Sequence, residues 1–439
     1  MNRIACVAMI LALAGGLAAC AASAPAAPLN VPTPPALATA TLPTAATIAP
    51  PARVSSTGEF DADRALEHAR MLAVTIGARV AGSENAARAG EYIAQQLESY
   101  GYTIEKQTFT FESWEDRGTR AQITLPQMRA LDARPLRLSP PGQVEAEVVA
   151  VGGVGDEYDF SRADAKGKIA LVRRGTLPFS DKARNAERAG AAAVIIYNDA
   201  PERFAGGLRD AVTLPVLAIS GREGQALLDL VAQGAVKIKI ESATARAQKM
   251  GRNIVATQRG TSDRVVVLGA HYDSVEIGAG ANDNGSGAAV LLELARSLAQ
   301  KPRKQTLVFV AFDGEEAGLF GSRHYVAGLP DDARRQIVAM LNFDMLSGGA
   351  GSLQLDGGGR AGKLALDAAR ELGVDARSFS LGSSANSDHA SFRSVGIDAV
   401  FFMRNYDLLH TPQDTIDQVR AEWLGEAGRV AMRVVDLLE

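Results

Sequence analysis

Cysteine is nearly missing from this sequence. Only Cys6 and Cys20 occur in 439 residues, both within the first 20 positions. Once an N-terminal leader is removed, no pair remains to be joined, so a disulfide framework is excluded. An excess of basic charge is missing too. Lys and Arg number 46 against 50 Asp and Glu, giving a net charge of −4 and a pI of about 5.9. Without a basic field, nucleic acid is excluded as a partner. Histidine is scarce, with five in the whole chain, so each position carries information. What is present is ordinary: 22% charged and 47% apolar residues suit a soluble globular body. The length calls for more than one domain.

The N-terminus stands apart. Arg3 supplies a positive n-region, Ile4 to Leu17 an apolar h-region, and Leu17-Ala18-Ala19-Cys20 a small-residue cleavage site. The apolar run is too short for a spanning helix and reads as an export signal. A Cys directly after the small residues resembles the bacterial lipoprotein signal, which makes residues 1–19 a signal peptide and Cys20 the lipidated first residue. Residues 20–55 are rich in Ala, Pro and Thr, with almost no charge and no periodicity. Such a segment buries too little to fold and fits a tether. The expected location is the bacterial cell envelope, lipid-anchored at the outer membrane or periplasmic face. Ala21, not an acidic residue, follows the Cys, and by resemblance to sorted lipoproteins this favours the outer membrane.

Further along, apolar spacing predicts helices over 60–76 and 84–100, with the Arg79-Val80-Ala81-Gly82-Ser83 loop between them and a strand over 102–111. From 116 to 249 the texture changes. Short buried strands (144–151, 167–175, 191–197, 214–219) alternate with helices (179–189 and one capped by Ser220). From Arg252 onward, continuous apolar strands over 253–258, 264–269, 305–312, 337–343 and 397–403 alternate with helices over 287–298, 362–372 and 420–438. This predicts an α/β fold with a largely parallel sheet covered on both faces.

The informative residues sit at the ends of those strands, where open α/β sheets place their chemistry. Val265–Gly269 runs into His271 and Asp273, and the glycine-rich turn that follows carries Asn282 and Asp283. Leu307–Phe312 runs into Glu315-Glu316. Ile337–Phe343 runs into Asp344, and the loop after Ile397–Met403 reaches His410-Thr411-Pro412-Gln413-Asp414. Singly, each is a helix cap, a solvated face or a satisfied polar residue. Together, two imidazoles and three carboxylates with one carboxylate shared make two three-ligand sites. Each keeps an open position of the kind a catalytic zinc needs. Adjacent Glu side chains point in different directions, so Glu315 and Glu316 divide roles.

These motifs resemble the co-catalytic dizinc aminopeptidase family, which includes bacterial leucyl aminopeptidases, aminopeptidase Y and the glutamate carboxypeptidase group. The pattern is His271-x-Asp273, Asn282-Asp283-x-x-x-Gly287, Glu315-Glu316, Asp344 and His410-Thr411-x-x-Asp414. It spans roughly residues 60–115 and 250–439. The intervening segment resembles the protease-associated domain through Gly167–Gly175, Lys182–Ile196 and Leu214-Pro215-Val216. The resemblance implies a three-layer α/β/α zinc exopeptidase fold, with a mostly parallel mixed central sheet from 56–115 and 250–439. A β-rich protease-associated domain is inserted at 116–249, as a lid or substrate-access module.

It further implies two Zn²⁺ per chain. Asp283 bridges them; His271 and Asp344 complete one site, Glu316 and His410 the other. Glu315 is the general base, and Asp273 orients His271. The implied activity is that of an aminopeptidase, acting on peptides with a free N-terminus through a two-zinc-activated water. Carboxypeptidases, dipeptidases and one-zinc glutaminyl cyclases share the scaffold and are the alternatives, with a non-catalytic binding protein behind them. The segment Ser387–Phe392 resembles a rim segment of the family, and His389 is expected there as a supporting residue. His68 and His324 are expected to be structural. Some members carry Tyr just before the late His; here that position is Leu409, with Tyr406 three residues earlier.

Overall fold

The computed structural model describes residues 58–299, 301–349, 351–356, 358–380 and 386–439. The leader (1–19) and the tether (20–55) lie outside the described residues. Among the described residues, no helix is long and apolar enough to cross a membrane.

Eight strands form the central sheet: β1 (Thr103–Asp116), β2 (Thr244–Gln258), β3 (Val265–His271), β4 (Thr306–Phe312), β5 (Ile337–Phe343), β6 (Leu353–Asp356), β7 (Ala376–Ser378) and β8 (Ala399–Met403). Their spatial order is β1-β2-β4-β3-β5-β8-β6-β7. The middle, β4-β3-β5-β8, is parallel. Antiparallel pairings join β1 to β2, β2 to β4 and β6 to β8. The strands β6 and β7 have no counterpart in the sequence pattern: at four and three residues they are too short for an alternation to stand out.

The parallel strands are buried on both faces, which explains their unbroken apolar runs. Along β3, Val266, Leu268 and Ala270 face one core and Val267 the other. The larger core lies under α1 (Ala62–Arg70), α2 (Glu84–Ser99), α3 (Gly287–Leu298), and the two helices Arg360–Glu371 and Ala421–Leu437. The smaller core is closed by Tyr325, Val326 and Phe392 on the opposite side. This is the three-layer arrangement. Asp61 caps α1 by accepting from the amides of Asp63 and Arg64, and Ser83 caps α2, each satisfying donors that a helix start leaves free. The predicted 60–76 helix changes pitch: it is α-helical to Arg70 and then a wider π-type turn over Met71–Ile76.

The strands β1 and β2 are longer than their apolar patterns suggested. They pair from Thr103↔Thr257 to Asp116↔Thr244. Only the Ile254–Gln258 end of β2 bonds to β4. The far half is a two-stranded ribbon, where along β1 only Phe109 and Phe111 are buried, in a small cluster with Ala81, too few positions to write a long alternation into the sequence. The ribbon carries the chain to a second eight-stranded sheet, whose strands all lie between Arg120 and Ser242. Its parallel centre, Ile169–Arg173, Ala193–Tyr197 and Val216–Ile219, has one core on each face.

Candidate metal centre

The carboxyl ends of β3, β4, β5 and β8 converge at one edge of the parallel sheet. There His271 ends β3, Glu315 and Glu316 follow β4, Asp344 follows β5, and His410 lies in the loop after β8. Asp283 comes from the irregular turn Ala281–Ser286 that leads into α3. The turn is held by side chains. Asn284 donates from Nδ2 to the Phe343 carbonyl (2.8 Å) and accepts from the Gly287 amide (2.8 Å). The amide of Ser347 donates to Asn282 Oδ1 at 2.8 Å. Gly287 is required by closeness: a Cβ there would stand 2.2 Å from the Phe343 carbonyl oxygen. His410 holds a left-handed backbone (φ 55°), a conformation that non-glycine residues adopt mainly where surrounding structure or function demands it.

Two groups of three potential ligands result: His271, Asp283 and Asp344; and Asp283, Glu316 and His410. In the first, His271 Nε2 is 3.4 Å from Asp283 Oδ1 and 3.4 Å from Asp344 Oδ1. In the second, His410 Nε2 is 3.1 Å from Asp283 Oδ2 and 3.1 Å from Glu316 Oε2. Ligand atoms about 2.0–2.2 Å from a tetrahedral ion lie roughly 3.3–3.5 Å apart, so both groups are spaced to share one cation each. The buried Nε2 of His271, Oδ1 of Asp344 and Oε1 of Glu316 have no hydrogen-bond partner. Buried polar atoms are rarely left so. Nitrogen and carboxylate donors of this kind suit zinc.

The electrostatics agree. Burial pushes Glu315 up, reinforced by Glu316, Asp344 and Asp388 against the pull of His271. Burial, with Asp283 adding to it, pushes Glu316 up to about 7. Burial also raises Asp344. Asp283 goes the other way: burial opposes ionisation, but the neighbouring imidazoles of His271 and His410 outweigh it and hold the carboxyl below its usual range. Both histidines are driven upward, despite burial, by the carboxylates around them. So many carboxylates crowded together call for added positive charge.

Around these groups lies a supporting shell. Glu315 Oε2 is 3.9 Å from His271 Nε2, beside the first trio without belonging to either. Asp273 lies 3.4 Å from His271 Nδ1. Its two oxygens also accept the backbone amides of Glu315 (3.1 Å) and Glu316 (3.2 Å), so it holds the Glu-Glu turn as well as the imidazole. Ser387 donates to Asp344 Oδ2 at 2.7 Å. Asp414, named in the motif but given no role, accepts the amides of Asn282 (2.8 Å) and Asp283 (3.1 Å). Tyr406 spends its hydroxyl on Asp414 at 3.0 Å.

Arg79 was missed altogether. It is wholly buried and donates to the carbonyls of Leu72, Gly77, Tyr272, Ala279 and Gly280. It thereby anchors the 272–280 loop that leads to Asp283. An arginine in a short loop of small residues carries no local signal of burial. His389, stacked on Phe401 at 4.7 Å, His324, stacked on Phe109 at 5.2 Å, and His68, bonded to Tyr92, all lie outside the two trios.

The sequence profile of Peptidase family M28 matches residues 253–435, and that of the PA domain matches residues 144–227. Aminopeptidase YwaD of Bacillus subtilis (strain 168) is 32% identical over 402 residues, 86% of this chain and 84% of its own. The chain belongs to peptidase family M28. Among solved structures, BSAP, a zinc aminopeptidase from Bacillus subtilis, aligns to this M28 chain with a TM-score of 0.76 at 30% identity. The alignment covers 86% of this chain and 95% of that one. A probable lipoprotein aminopeptidase of Mycobacterium tuberculosis, LpqL, is 35% identical over 283 residues, 62% of this chain and 55% of its own. The M28 match carries the zinc exopeptidase fold, and the PA match falls within the second sheet.

Proposed function

We propose that this M28 chain is a zinc aminopeptidase holding two Zn²⁺, with Asp283 shared between them. His271 and Asp344 complete one site, and Glu316 and His410 the other. The observation that carries this reading is the division of Asp283, one oxygen toward each histidine. Zinc in these sites supplies Lewis acidity toward the scissile carbonyl and lowers the pKa of a water. Glu315 is the general base. Its carboxylate lies 3.9 Å from His271 Nε2, and burial raises its proton affinity. It takes the proton of the attacking water and delivers it to the leaving amine. Asp273 fixes His271 on one side and the Glu315-Glu316 backbone on the other. The names of YwaD and BSAP support the aminopeptidase and zinc assignments.

The test is a panel of aminoacyl chromogenic substrates beside their N-acetylated forms, with and without chelator. Cleavage of the free-amine series alone, lost on chelation and restored by zinc, is the expected result. Equal cleavage of the acetylated series overturns it.

The reading extends to location and domain organisation. Residues 116–249 form the inserted module over the site, and the chain is exported and lipidated at Cys20. The leader pattern supports this, as does LpqL, which is named a lipoprotein. A Cys20→Ser variant should move activity from the membrane to the soluble fraction of the envelope.

A further inference from the structure

A cleft of about 350 Å³ runs between the metal centre and the second sheet, within the roughly 300–1,000 Å³ range of small-ligand sites. Glu316 and His410 line it from the catalytic side, Arg134, Arg137 and Phe204 from the inserted segment, and Trp114 from β1. The two arginines differ. Arg134 lies 3.6 Å from the carboxylate of Glu276. Arg137 makes no ion pair among the described residues. Its backbone is clamped: its amide donates to the Gly206 carbonyl and its carbonyl accepts from the Leu208 amide, both at 2.9 Å. Its side chain crosses to the catalytic half, where Nη1 donates to the Ala317 carbonyl at 3.1 Å. Nε and Nη2 make no hydrogen bond among the described residues, and the side chain is exposed to the cleft. A fixed guanidinium with a free edge, open to a cleft, suits a carboxylate.

We infer that Arg137 receives the C-terminal carboxylate of short peptides whose amino end lies at the metal centre, so that di- and tripeptides are the preferred substrates. The inference rests on the aminopeptidase reading. Ala317 follows Glu316 directly, so the guanidinium stands within roughly a dozen ångströms of the Glu316 carboxylate. An extended peptide covers about 3.3–3.6 Å per residue, so the gap admits at most about three residues. Phe204 of the inserted domain and Trp114 near the end of β1 complete the wall on which Arg137 stands. Here the insertion determines substrate length and does more than cover the site.

The test compares kcat/KM for Leu-Gly-Gly, its C-terminal amide, and Leu-Gly-Asp amide in the full enzyme. Wild type is expected to favour the free acid over the plain amide about tenfold, chiefly through KM. Arg137→Gln should bring that ratio to about one, and Arg137→Lys should keep part of it. A wild-type ratio near one overturns the inference. So does a loss in Arg137→Gln that is equal for acid and amide, which would make Arg137 only a latch on Ala317. If Leu-Gly-Asp amide outperforms Leu-Gly-Gly, the site reads an acidic side chain and the terminal-carboxylate assignment fails. N-acetyl-Leu-Gly-Gly separates the two levels: if it is cleaved as well as the free peptide, the aminopeptidase reading itself has failed.

Discussion

Asp283 presents its two carboxylate oxygens to different histidines, Oδ1 at 3.4 Å from His271 Nε2 and Oδ2 at 3.1 Å from His410 Nε2. A single residue thus links two ligand trios that the chain assembles from segments more than a hundred residues apart. Removing it breaks both at once. Asp283→Ala should bind fewer than about one zinc per chain by elemental analysis, because each trio falls to two protein ligands. Retention of two zinc ions would sink the shared-ligand assignment.

Glu315 tests the separation of ligand from base. Its side chain belongs to neither trio, so Glu315→Ala should keep the zinc content of wild type. Its kcat should fall by about 10²–10⁴, the usual contribution of a positioned base. Near-wild-type turnover would remove Glu315 from that role. Loss of zinc would move it among the ligands.

Arg79 tests whether the site depends on a buried cation behind it. Burial pulls its pKa down to about 10, against the opposing pull of Asp273, Asp414, Asp283 and Glu316, and it is still charged at neutral pH. Arg79→Met leaves five carbonyl groups short of a donor. The expected cost is about 3–5 kcal/mol of unfolding free energy, typical of losing one partner of a buried charged network. Arg79→Lys should rescue little, since one ammonium cannot reach the same carbonyls. The midpoint of urea unfolding measures both, and a shift below about 1 kcal/mol for Arg79→Met would contradict the anchoring role.

His68 predicts an acid limit on stability. It sits buried between Tyr92 and Tyr100, 2.6 Å and 3.2 Å from their hydroxyls. Burial, helped by Arg64 and Arg296, lowers its pKa from 6.5 to about 3. Between those values the unfolded chain binds a proton that the folded chain refuses. Stability from this group is therefore complete above about pH 6.5 and falls as the pH drops toward 3, by about 1.4 kcal/mol per pH unit. Urea midpoints of chelator-treated protein between about pH 4 and 7 should fall more steeply for wild type than for His68→Gln. Parallel curves would show that His68 is not the source.

The chemistry was legible in the sequence because strand ends mark themselves. An apolar run of six residues such as Leu307–Phe312, buried throughout, stops where the side chains become ionisable, and that transition survives without any contact map. His271, Asp283, Glu316, Asp344 and His410 stood out as candidates at or beyond strand ends, and the family resemblance supplied their roles. The ribbon half of β1 and β2 was less legible. Its register is set by cross-strand pairing away from the main core, and along β1 only Phe109 and Phe111 are buried there, too short a period to reveal the strand's length.

Local pattern determined the element types, the parallel character of the sheet centre and the identity of the residues able to bind metal, because burial on two faces and a change from apolar to ionisable are written along the chain. Only the tertiary structure decided which carboxylate oxygen meets which histidine and that Asp273 holds both His271 and the Glu-Glu turn. It alone decided, too, that Arg79 lies beneath the site and that Arg137 reaches Ala317 from another sheet. Those relationships join residues distant in sequence through directional bonds. Direction and distance in space are fixed by packing, and no local run of residues encodes them.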